Sequence, residues 1–491
     1  MAKNLQRRRL YAAADGPGRV VVVDGDGQDV ARGGVVDVAQ QLHDEKADIG
    51  ALDAQLLLSV VDAYLQAGQA HSLDVAMRGT GLSGAPAVLS IRRTGWGAAW
   101  RDLAATHPDG DPAATAADLG LGRRPADGPD AARWLAQLDT QWREWAEAEL
   151  GAELGITLAA TAARLAIPRQ WRTAHEAAKR GARRPGGLDD SAWRLSARAF
   201  YGGRVACLVD SDWRGEAVEY DLRSAYGWAL TCKLPDWKCY RRKPWPSEPA
   251  WYDVTVEIST SGPGPLPYRD PEDARVLHYP VEGVYRGVWT REELDRSGVR
   301  VLQQHEVLAG RWSCDLQPVV SSWLERRQLG GALRRRLFRF LPNSLAGKLA
   351  QKSIGWLLWD AADGDPPVGA VPLGLSTSAF VVPVPARYQP ATFPQAGSYV
   401  TSLVRGLVWP QLQRPDALYS DTDSIHLPAS ATPPPLGDAA GQWAEKERGP
   451  AVYRGPKNYT IGSKTAGFLP HHSGHFGRST GHKPTTAQPR K

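Results

Sequence analysis

The pattern of hydrophobic and polar positions divides the first part of the chain into a strand-rich and a helical segment. The run VVVVDGDGQDV (20–30) predicts a strand, a tight Asp-Gly turn and a second strand. From about residue 130 to 180, tryptophan and leucine recur at steps of three and four residues, which predicts helix. The segment RGARRPGGLDD (180–190) is rich in glycine, proline and charge, so a linker is expected there.

The second part of the chain begins with a strand-rich block at about 200–260. A helical block at about 290–352 follows, and Pro342 is expected to interrupt it near its end because proline removes a helical hydrogen bond. A further helix at about 396–413 then leads into a short strand that contains YSDTDSIHL.

Composition is that of a globular protein. The chain has 491 residues, of which 42% are hydrophobic and 23% charged, so two or three domains are expected. No segment approaches the roughly 18–20 apolar residues of a membrane helix, and the N-terminus lacks the apolar core of a secretory signal. We therefore expect a cytoplasmic protein without membrane association. The four cysteines include no C-x-x-C pair and are interpreted as reduced thiols.

Charge is distributed unevenly. The net charge is +6, and the segment after Glu447 contains lysine and arginine but no acidic residue. A basic segment of this kind suits a polyanion such as nucleic acid. A solvated basic tail fits the same composition, and composition alone leaves both interpretations open.

Carboxylates stand out in two apolar contexts. In VEYDLRSAYGWAL (218–230) an apolar strand ends in Asp221, and in ALYSDTDSIHL (417–427) Asp421 and Asp423 flank a threonine. Side chains alternate along a strand, so Asp421 and Asp423 are expected to share a face unless a turn intervenes.

Two carboxylates on one face repel each other, and a divalent cation removes that cost. Mg²⁺ prefers a few carboxylates together with phosphate oxygens, and Asp221 would complete a site for two ions about 4 Å apart. The alternative is that DTDS is only a polar hairpin tip, since Asp and Thr commonly cap turns. The three segments in this order favour the metal site.

A basic helix supplies the third segment, RRRLFRFLPNSLAGKLAQK (334–352). Arg335, Arg339 and Asn343 are spaced i, i+4 and i+8 and therefore share one helix face. Guanidinium groups ending in an amide suit a triphosphate, because arginine donates in bidentate fashion to phosphate oxygens. Without the carboxylate segments, a solvated basic face would be the favoured interpretation.

At these residues the sequence resembles family B DNA polymerases, and within them the protein-primed branch of phages and linear plasmids. DLRSAYG resembles the first palm motif D-x-x-S-L-Y-P, and LYSDTDS the second, Y-x-D-T-D-S. FRFLPNSLAGK is similar to the fingers motif K-x-x-x-N-S-x-Y-G. FYGGR (200–204) resembles the Y-x-G-G linker motif and PKNY (456–459) the K-x-Y motif that grips the primer. The resemblance covers roughly residues 190–470.

The resemblance implies roles for individual residues. Asp221 and Asp423 would be the principal metal ligands and catalytic carboxylates, assisted by the Leu222 carbonyl, with Asp421 close by. Tyr226 would lie under the incoming sugar and reject a 2′-hydroxyl. The implied nucleotide-binding residues are Ser224, Tyr226, Arg327, Arg335, Arg339 and Asn343. The implied DNA- and primer-binding residues are Gly202, Gly203, Ser344, Gly347, Tyr419, Thr422, Lys457 and Tyr459.

Several positions depart from the family pattern. Arg339 stands in place of lysine, Gly227 in place of proline and Phe200 in place of tyrosine. Ala346 occupies the position of a tyrosine that packs against the nascent base pair in the family. We expect weaker base selection or a higher KM for nucleotide as a result.

The N-terminal region should correspond to the family's 3′–5′ exonuclease, which requires a D-x-E motif. No D-x-E occurs near the start of the chain, where Asp24 and Asp26 are candidates, and Asp139 lacks the preceding tyrosine of the last exonuclease motif. We expect a degenerate, inactive domain, with a working site at these three residues as the alternative.

The expected fold is α+β: a right-hand polymerase with palm, fingers and a short thumb, preceded by an RNase H-like exonuclease-type domain. The expected domain boundaries are 1–180 for the exonuclease-like domain, 181–205 for the linker, 206–440 for palm and fingers with insertions at about 229–300 and 353–395, 441–469 for the thumb-like segment, and 470–491 for a disordered basic tail.

The expected reaction is template-directed transfer of a nucleotide from a dNTP to a 3′-hydroxyl, or to a terminal-protein hydroxyl at initiation. The implied cofactor is a pair of Mg²⁺ ions, with Mn²⁺ as a substitute. The implied partners are primer-template DNA, dNTPs and a terminal protein in a bacterial host cell. A catalytically silent DNA-binding module and a metal-dependent nuclease are the competing interpretations.

Overall fold

A computed structural model gives the fold of the protein. It describes residues 8–16, 19–42, 47–52, 56–57, 59–61, 73–78, 87–93, 99–155, 157–173, 190–210, 212–269, 277–349, 355–360, 364–367, 370–372, 379–384 and 392–466. Most of the expected linker at 180–190 and the whole of the basic tail at 470–491 lie outside the described residues.

The N-terminal region combines a sheet with helices that pack against it. Its strands are β1 (Arg8–Ala14), β2 (Arg19–Asp24), β3 (Asp29–Gly34), β4 (Ala47–Ala51), β5 (Leu73–Arg78), β6 (Ala87–Arg93) and β7 (Ala99–Asp102). Its helices are α1 (Val35–Gln41), α2 (Pro112–Asp118), α3 (Gly128–Leu150), α4 (Leu158–Ala166) and α5 (Asp190–Arg198), with two 3₁₀ turns at Leu103–Thr106 and Pro108–Gly110. The strand order is β3-β2-β1-β4-β7-β6-β5, with β4 parallel to both of its neighbours. The predicted Asp-Gly hairpin is confirmed as β2 and β3.

The middle of the chain contributes strands to two further sheets. These elements are β8 (Arg204–Cys207), β9 (Trp213–Leu222), α6 (Ala225–Thr231), β10 (Leu234–Tyr240), β11 (Ala250–Ser259), β12 (Tyr268–Arg269), β13 (Leu277–His278), β14 (Glu282–Thr290), α7 (Arg291–Ser297) and β15 (Arg300–Ser313). Strands β10, β15, β11 and β14 form an antiparallel sheet in that order, and β12 pairs with β13.

The last part of the chain supplies the long helices and completes the central sheet. Its elements are α8 (Gln317–Gln328), α9 (Ala332–Leu349), β16 (Gly355–Asp360), β17 (Val371–Pro372), β18 (Ala379–Val384), α10 (Pro394–Leu412), β19 (Tyr419–Thr422), β20 (Ser424–Pro428), β21 (Trp443–Gly455), β22 (Asn458–Ile461) and β23 (Lys464–Ala466). The central sheet has the order β23-β22-β21-β9-β20-β19-β8 and is antiparallel throughout.

Helix α9 corrects one expectation. The helix runs from Ala332 to Leu349 with Pro342 inside it, so the proline does not interrupt the segment. Leu337, Leu341 and Leu345 are fully buried at four-residue spacing, and they hold this face of the helix against the core on both sides of the proline. Tertiary packing therefore outweighs the hydrogen bond that Pro342 lacks.

One hydrophobic core joins the parts of the chain. Trp142 of α3 and Leu158 of α4 belong to the same buried cluster as Tyr220 of β9, Phe338 of α9 and Val404 of α10. The central sheet and the helices α8, α9 and α10 are thus packed on helices that belong to the N-terminal region.

Candidate active site

Asp221 is the penultimate residue of β9, the middle strand of the central sheet. Strand β9 is paired on both sides, and its residues 217–220 are all buried. The chain leaves the strand through Ser224, whose backbone is left-handed (φ 48°, ψ 45°), and helix α6 begins at the next residue. Asp221 is thereby presented at the mouth of a cleft, with 29% of its side chain exposed.

Asp421 and Asp423 lie on either side of a chain reversal. Asp421 of β19 pairs with Ser424 of β20, so Thr422 and Asp423 form a two-residue hairpin turn. Thr422 has a φ of 62°. The expectation that the two carboxylates share a strand face is therefore wrong, because the turn overrides the alternation.

The turn places Asp423 beside Asp221. Ser424 is directly opposite Asp221 in the sheet, and the Leu222 amide donates a 2.9 Å hydrogen bond to the Asp423 carbonyl. Asp221, Leu222 and Asp423 line one cleft of about 500 Å³. Burial and then the negative charge of Asp221 raise the pKa of Asp423 to about 7. The cleft thus holds two carboxylates whose mutual repulsion a cation would relieve.

A lysine neutralises part of the negative charge of these carboxylates. The Nζ of Lys446 in β21 lies 2.8 Å from Asp221 Oδ2 and 3.9 Å from Glu219 Oε1. Glu219 is buried on the same strand as Asp221, and Lys464 contacts both of its carboxylate oxygens at 2.7 Å. Lys446 also opposes the rise in the pKa of Asp423.

Asp421 forms an ion pair with a lysine. Both of its carboxylate oxygens lie 2.6 Å from the Nζ of Lys457, and it does not line the cleft with Asp221 and Asp423. Among the residues that the structure describes, no three His, Cys, Asp or Glu side chains are grouped closely enough to hold a metal ion. The structure therefore brings together two of the three predicted carboxylates.

The lining of the cleft also contains basic residues. Arg327 of α8, with Arg339 and Asn343 of α9, lines the cleft together with Arg223. Burial, followed by the charges of Arg339 and Arg223, lowers the pKa of Arg327, which donates a hydrogen bond to the Ser224 hydroxyl. These guanidinium groups line the same cleft as the carboxylates of Asp221 and Asp423.

Two other predicted nucleotide-site residues, Arg335 and Tyr226, do not line the cleft, and Ala346, which stands in place of the family's tyrosine, does not line it either. Arg335 is exposed and does not line the cleft, although it shares the predicted helix face. Tyr226 is half-buried near Asp423, and burial and the Asp423 charge raise its pKa to about 12. Ala346 is 5% exposed and belongs to the core.

The predicted contacts of Tyr419 and Tyr459 with the primer need correction. Tyr419 and Tyr459 are 0% and 2% exposed and pack with Tyr453 and His426 beneath the hairpin turn. Such burial prevents direct contact with DNA. The Tyr419 hydroxyl instead accepts a 2.7 Å hydrogen bond from the Lys457 amide and fixes the loop that carries this lysine.

The remaining predicted DNA-binding residues are accessible or support the turn. Gly202 and Gly203 are partly exposed, and a Cβ atom on Gly203 would lie 2.4 Å from Thr422 Cγ2. Ser344 is half-buried and Gly347 is exposed on α9, where an added Cβ would meet nothing within 4 Å.

The predicted exonuclease residues are not brought together. Asp139 lines a cavity of about 200 Å³ that Asp48 also lines but Asp24 and Asp26 do not. Asp24 accepts hydrogen bonds from the amides of Asp26 and Gln28 within the β2–β3 turn.

The carboxylate of Asp139 is occupied by neighbouring side chains. It accepts a 3.0 Å hydrogen bond from the Tyr11 hydroxyl and a 2.8 Å hydrogen bond from Arg143 Nε.

Sequence reasoning missed three charged residues of this region. Lys446 and Glu219 are brought to the site by the pairing of β21 with β9, which no local pattern indicates. Asp109, from the N-terminal region, also lines the large cleft. The single available signal was the alternation of charge in WAEKE, which is equally typical of a solvated strand.

Comparison with known proteins identifies the fold. No family model matches the chain, and no curated protein matches it. Phi29 DNA polymerase complexed with primer-template DNA and incoming nucleotide aligns over 92% of this chain and 86% of that chain, with a TM-score of 0.67 and 13% identity.

Two other Phi29 DNA polymerase structures match similarly. The post-translocation binary complex with primer-template DNA gives a TM-score of 0.66 at 14% identity over 94% of this chain and 90% of that chain. The complex with single-stranded DNA gives 0.64 at 14% identity over 92% and 86%. At this identity the likeness concerns the fold alone: the chain has a mixed α/β fold similar to that of Phi29 DNA polymerase. None of the described helices is long and apolar enough to cross a membrane.

Proposed function

We propose that the protein is a DNA-directed DNA polymerase that transfers a nucleotide from a dNTP to a primer 3′-hydroxyl. The observation that carries this proposal is the composition of one cleft. It brings the acidic pair Asp221 and Asp423 into the same cleft as the guanidinium groups of Arg327 and Arg339 and the amide of Asn343. A nuclease would need the carboxylates but not the groups suited to a triphosphate.

The acidic pair fits a divalent cation. Asp221 and Asp423 supply carboxylate oxygens to one cleft, and the pKa of Asp423 is raised first by burial and then by the negative charge of Asp221. Mg²⁺ or Mn²⁺ would be held by these two carboxylates and by the Leu222 carbonyl. A bound ion would supply the charge that activates a 3′-hydroxyl and stabilises the leaving pyrophosphate.

The protein's own residues bind and orient the substrates. Arg339 and Arg327 would bind the triphosphate, because guanidinium groups donate two parallel hydrogen bonds to phosphate oxygens. Tyr226, half-buried behind Asp423, would lie under the sugar and exclude a 2′-hydroxyl. Lys457 would give up Asp421 to contact the primer backbone.

The proposal assigns the sheets and helices to the parts of a polymerase. The central sheet would be the palm, α8 and α9 the fingers, and β21 to β23 the reduced thumb-like segment that grips the primer. The sheet β1 to β7 would be an exonuclease-type domain without excision activity. The motif resemblance to the protein-primed branch supports a terminal-protein hydroxyl as the group that starts synthesis.

A catalytically silent DNA-binding module is the second candidate, and a specific observation favours it. Lys446 and Lys457 neutralise Asp221 and Asp421, and no group of three metal-ligating side chains is found in the described part of the chain. A module of this kind would retain the fold and bind DNA without extending it.

Primer extension separates the candidates. A labelled primer on a single-stranded template is incubated with four dNTPs and Mg²⁺ or Mn²⁺, with wild type, Asp423→Asn and Asp295→Asn. Asp295 is an exposed carboxylate on α7 and serves as the matched control. We expect template-directed extension by wild type and Asp295→Asn, and a loss of at least about a hundredfold in Asp423→Asn.

Each other outcome is informative. DNA binding by folded wild type without extension in either metal would favour the silent module. Shortening of the primer would favour a nuclease, and undiminished extension by Asp423→Asn would exclude the assigned site.

A further inference from the structure

An aspartate from the N-terminal region reaches the proposed nucleotide site. Asp109 lines the same cleft as Asp221, Asp423 and Arg339. Its Oδ2 lies 2.5 Å from Arg339 NH2, although the two residues are 230 positions apart in the chain. The guanidinium proposed to bind the triphosphate is therefore held by a carboxylate of another sheet-bearing region.

The backbone at Asp109 is unusual. It has φ 58° and ψ 8° within the turn Pro108–Gly110, which is the left-handed region that most side chains avoid. Aspartate tolerates this conformation, but glycine and asparagine do so at least as well. The conformation thus accounts for a small or polar residue at 109, whereas the negative charge needs a separate explanation.

A role in holding helix α9 in place does not explain the negative charge of Asp109. Two other ion pairs tie the same helix to the N-terminal region and lie outside the cleft: Arg336 with Asp118 at 3.2 Å, and Arg334 with Glu149, whose Nε–Oε2 distance is 3.0 Å. The side chains of Asp109 and Arg339 are 40% and 50% exposed, and ion pairs as exposed as this contribute little to stability.

The negative charge of Asp109 would weaken the binding of an anion that enters the cleft. Arg339, Arg327 and Arg223 are close enough that the other two charges lower the pKa of Arg327. Polyphosphate would be drawn to this cluster, and Asp109 both occupies Arg339 and repels the incoming negative charge.

We infer, on the basis of the function proposed above, that Asp109 sets the affinity of the nucleotide site by competing with the triphosphate for Arg339. Binding of the triphosphate replaces the Asp109–Arg339 pair, so the N-terminal region contributes a specificity-determining residue to the nucleotide site. Anions with too little charge to displace the carboxylate are disfavoured.

Matched variants test this role. Asp109→Asn removes the charge in the cleft, and Asp118→Asn removes a carboxylate that pairs with the same helix outside the cleft. The Kd of inorganic tripolyphosphate is measured by calorimetry without metal or DNA, and the KM and kcat for dNTP are measured by primer extension.

We expect Asp109→Asn to lower the Kd for tripolyphosphate and the KM for dNTP by roughly fivefold, with a much smaller change in kcat. Asp118→Asn should change neither constant by more than about twofold. The gain from Asp109→Asn should disappear in an Arg339→Gln background, because the competition needs both partners.

The inference is overturned if Asp109→Asn leaves both constants unchanged, if it weakens binding, or if Asp118→Asn produces the same gain. Failure of the proposed function gives a different result. In that case wild type extends no primer, while the tripolyphosphate measurement still reports whether Asp109 competes for Arg339.

Discussion

Gly203 and Thr422 are in such close contact that a Cβ atom on Gly203 would lie 2.6 Å from Thr422 Cα. A backbone atom cannot move aside as a flexible side chain does. Thr422 has a left-handed backbone and joins Asp421 to Asp423. The position of the proposed catalytic carboxylate therefore depends on the absence of a side chain at Gly203.

Gly203→Ala should displace the hairpin turn. We expect a loss of about 1–3 kcal/mol in the free energy of unfolding, as for other overpacked sites, and a larger relative loss of primer extension. Gly122→Ala is the matched control, because a Cβ atom there meets nothing within 4 Å and Gly122 does not line the proposed site. Chemical denaturation and extension assays on both variants check the expectation, and equal behaviour of the two would contradict it.

Tyr419→Phe should weaken DNA binding although Tyr419 is buried. The substitution leaves the Lys457 amide without its 2.7 Å partner and loosens the loop that carries the lysine. Tyr453→Phe is the control, since it removes a buried 2.9 Å hydrogen bond to His426 instead. We expect both variants to lose about 1–2 kcal/mol of stability, and only Tyr419→Phe to raise the Kd for primer-template DNA by several fold. Equal Kd values would show that the hydroxyl does not act through Lys457.

Stability should fall in mild acid because of His426. Burial, with smaller contributions from Lys464 and Lys446, lowers the pKa of His426 from 6.5 to about 3. The unfolded chain therefore binds a proton at this residue near pH 6.5 while the folded chain stays neutral. The contribution to stability is present above pH 6.5 and is lost progressively as the pH falls toward 3, at about 1.4 kcal/mol per pH unit.

Variants of two histidines check this slope. Unfolding free energies between pH 7 and 4 are compared for wild type, His426→Phe and His278→Phe, which alters an exposed histidine. We expect His426→Phe to have a shallower slope and His278→Phe to match wild type. Part of the slope should persist, because burial also lowers the pKa of His107 to about 3. The raised pKa of Asp423 acts in the opposite direction between about pH 7 and 4 and reduces the net slope in all three proteins equally.

Asp139→Asn should affect stability and not excision. Asp139 is 1% exposed and pairs with Arg143, so its neutralisation leaves a largely buried guanidinium with only Glu147, 3.9 Å away, as a charged partner and costs about 3 kcal/mol, the lower end for a broken buried pair. Asp130→Asn on the same helix removes an exposed i,i+3 pair with Arg133 and should be nearly neutral. We expect neither variant nor wild type to excise a mismatched 3′ end. Excision by wild type that disappears in Asp139→Asn would restore the working-site alternative.

Local patterns predicted the elements whose formation depends on local chemistry. The helix Pro394–Leu412 falls within two residues of its expected position, and the Asp-Gly hairpin of β2 and β3 forms where it is expected but extends four residues further, to Gly34. The strand that ends at Asp221 was also predicted, because its apolar run is followed by a turn.

Features that depend on distant contacts were not predicted. The sequence DTDS is compatible with a continuous strand and with a hairpin turn. The close contact of Thr422 with Gly203 and the pairing register with β9 favour the turn. The burial of Tyr459 and the approach of Lys446 to Asp221 likewise follow from sheet pairing between segments far apart in sequence.

The shared core described above has a consequence for how the molecule loses its structure. Trp142 and Leu158 of the N-terminal region lie in the same apolar cluster as Tyr220 and Phe338 of the later part of the chain. Neither part can therefore unfold its helices without exposing apolar side chains of the other. Such a chain should melt in one cooperative step, since the two parts are coupled through the same buried contacts. The N-terminal region would then be retained as the foundation on which the remainder of the protein folds.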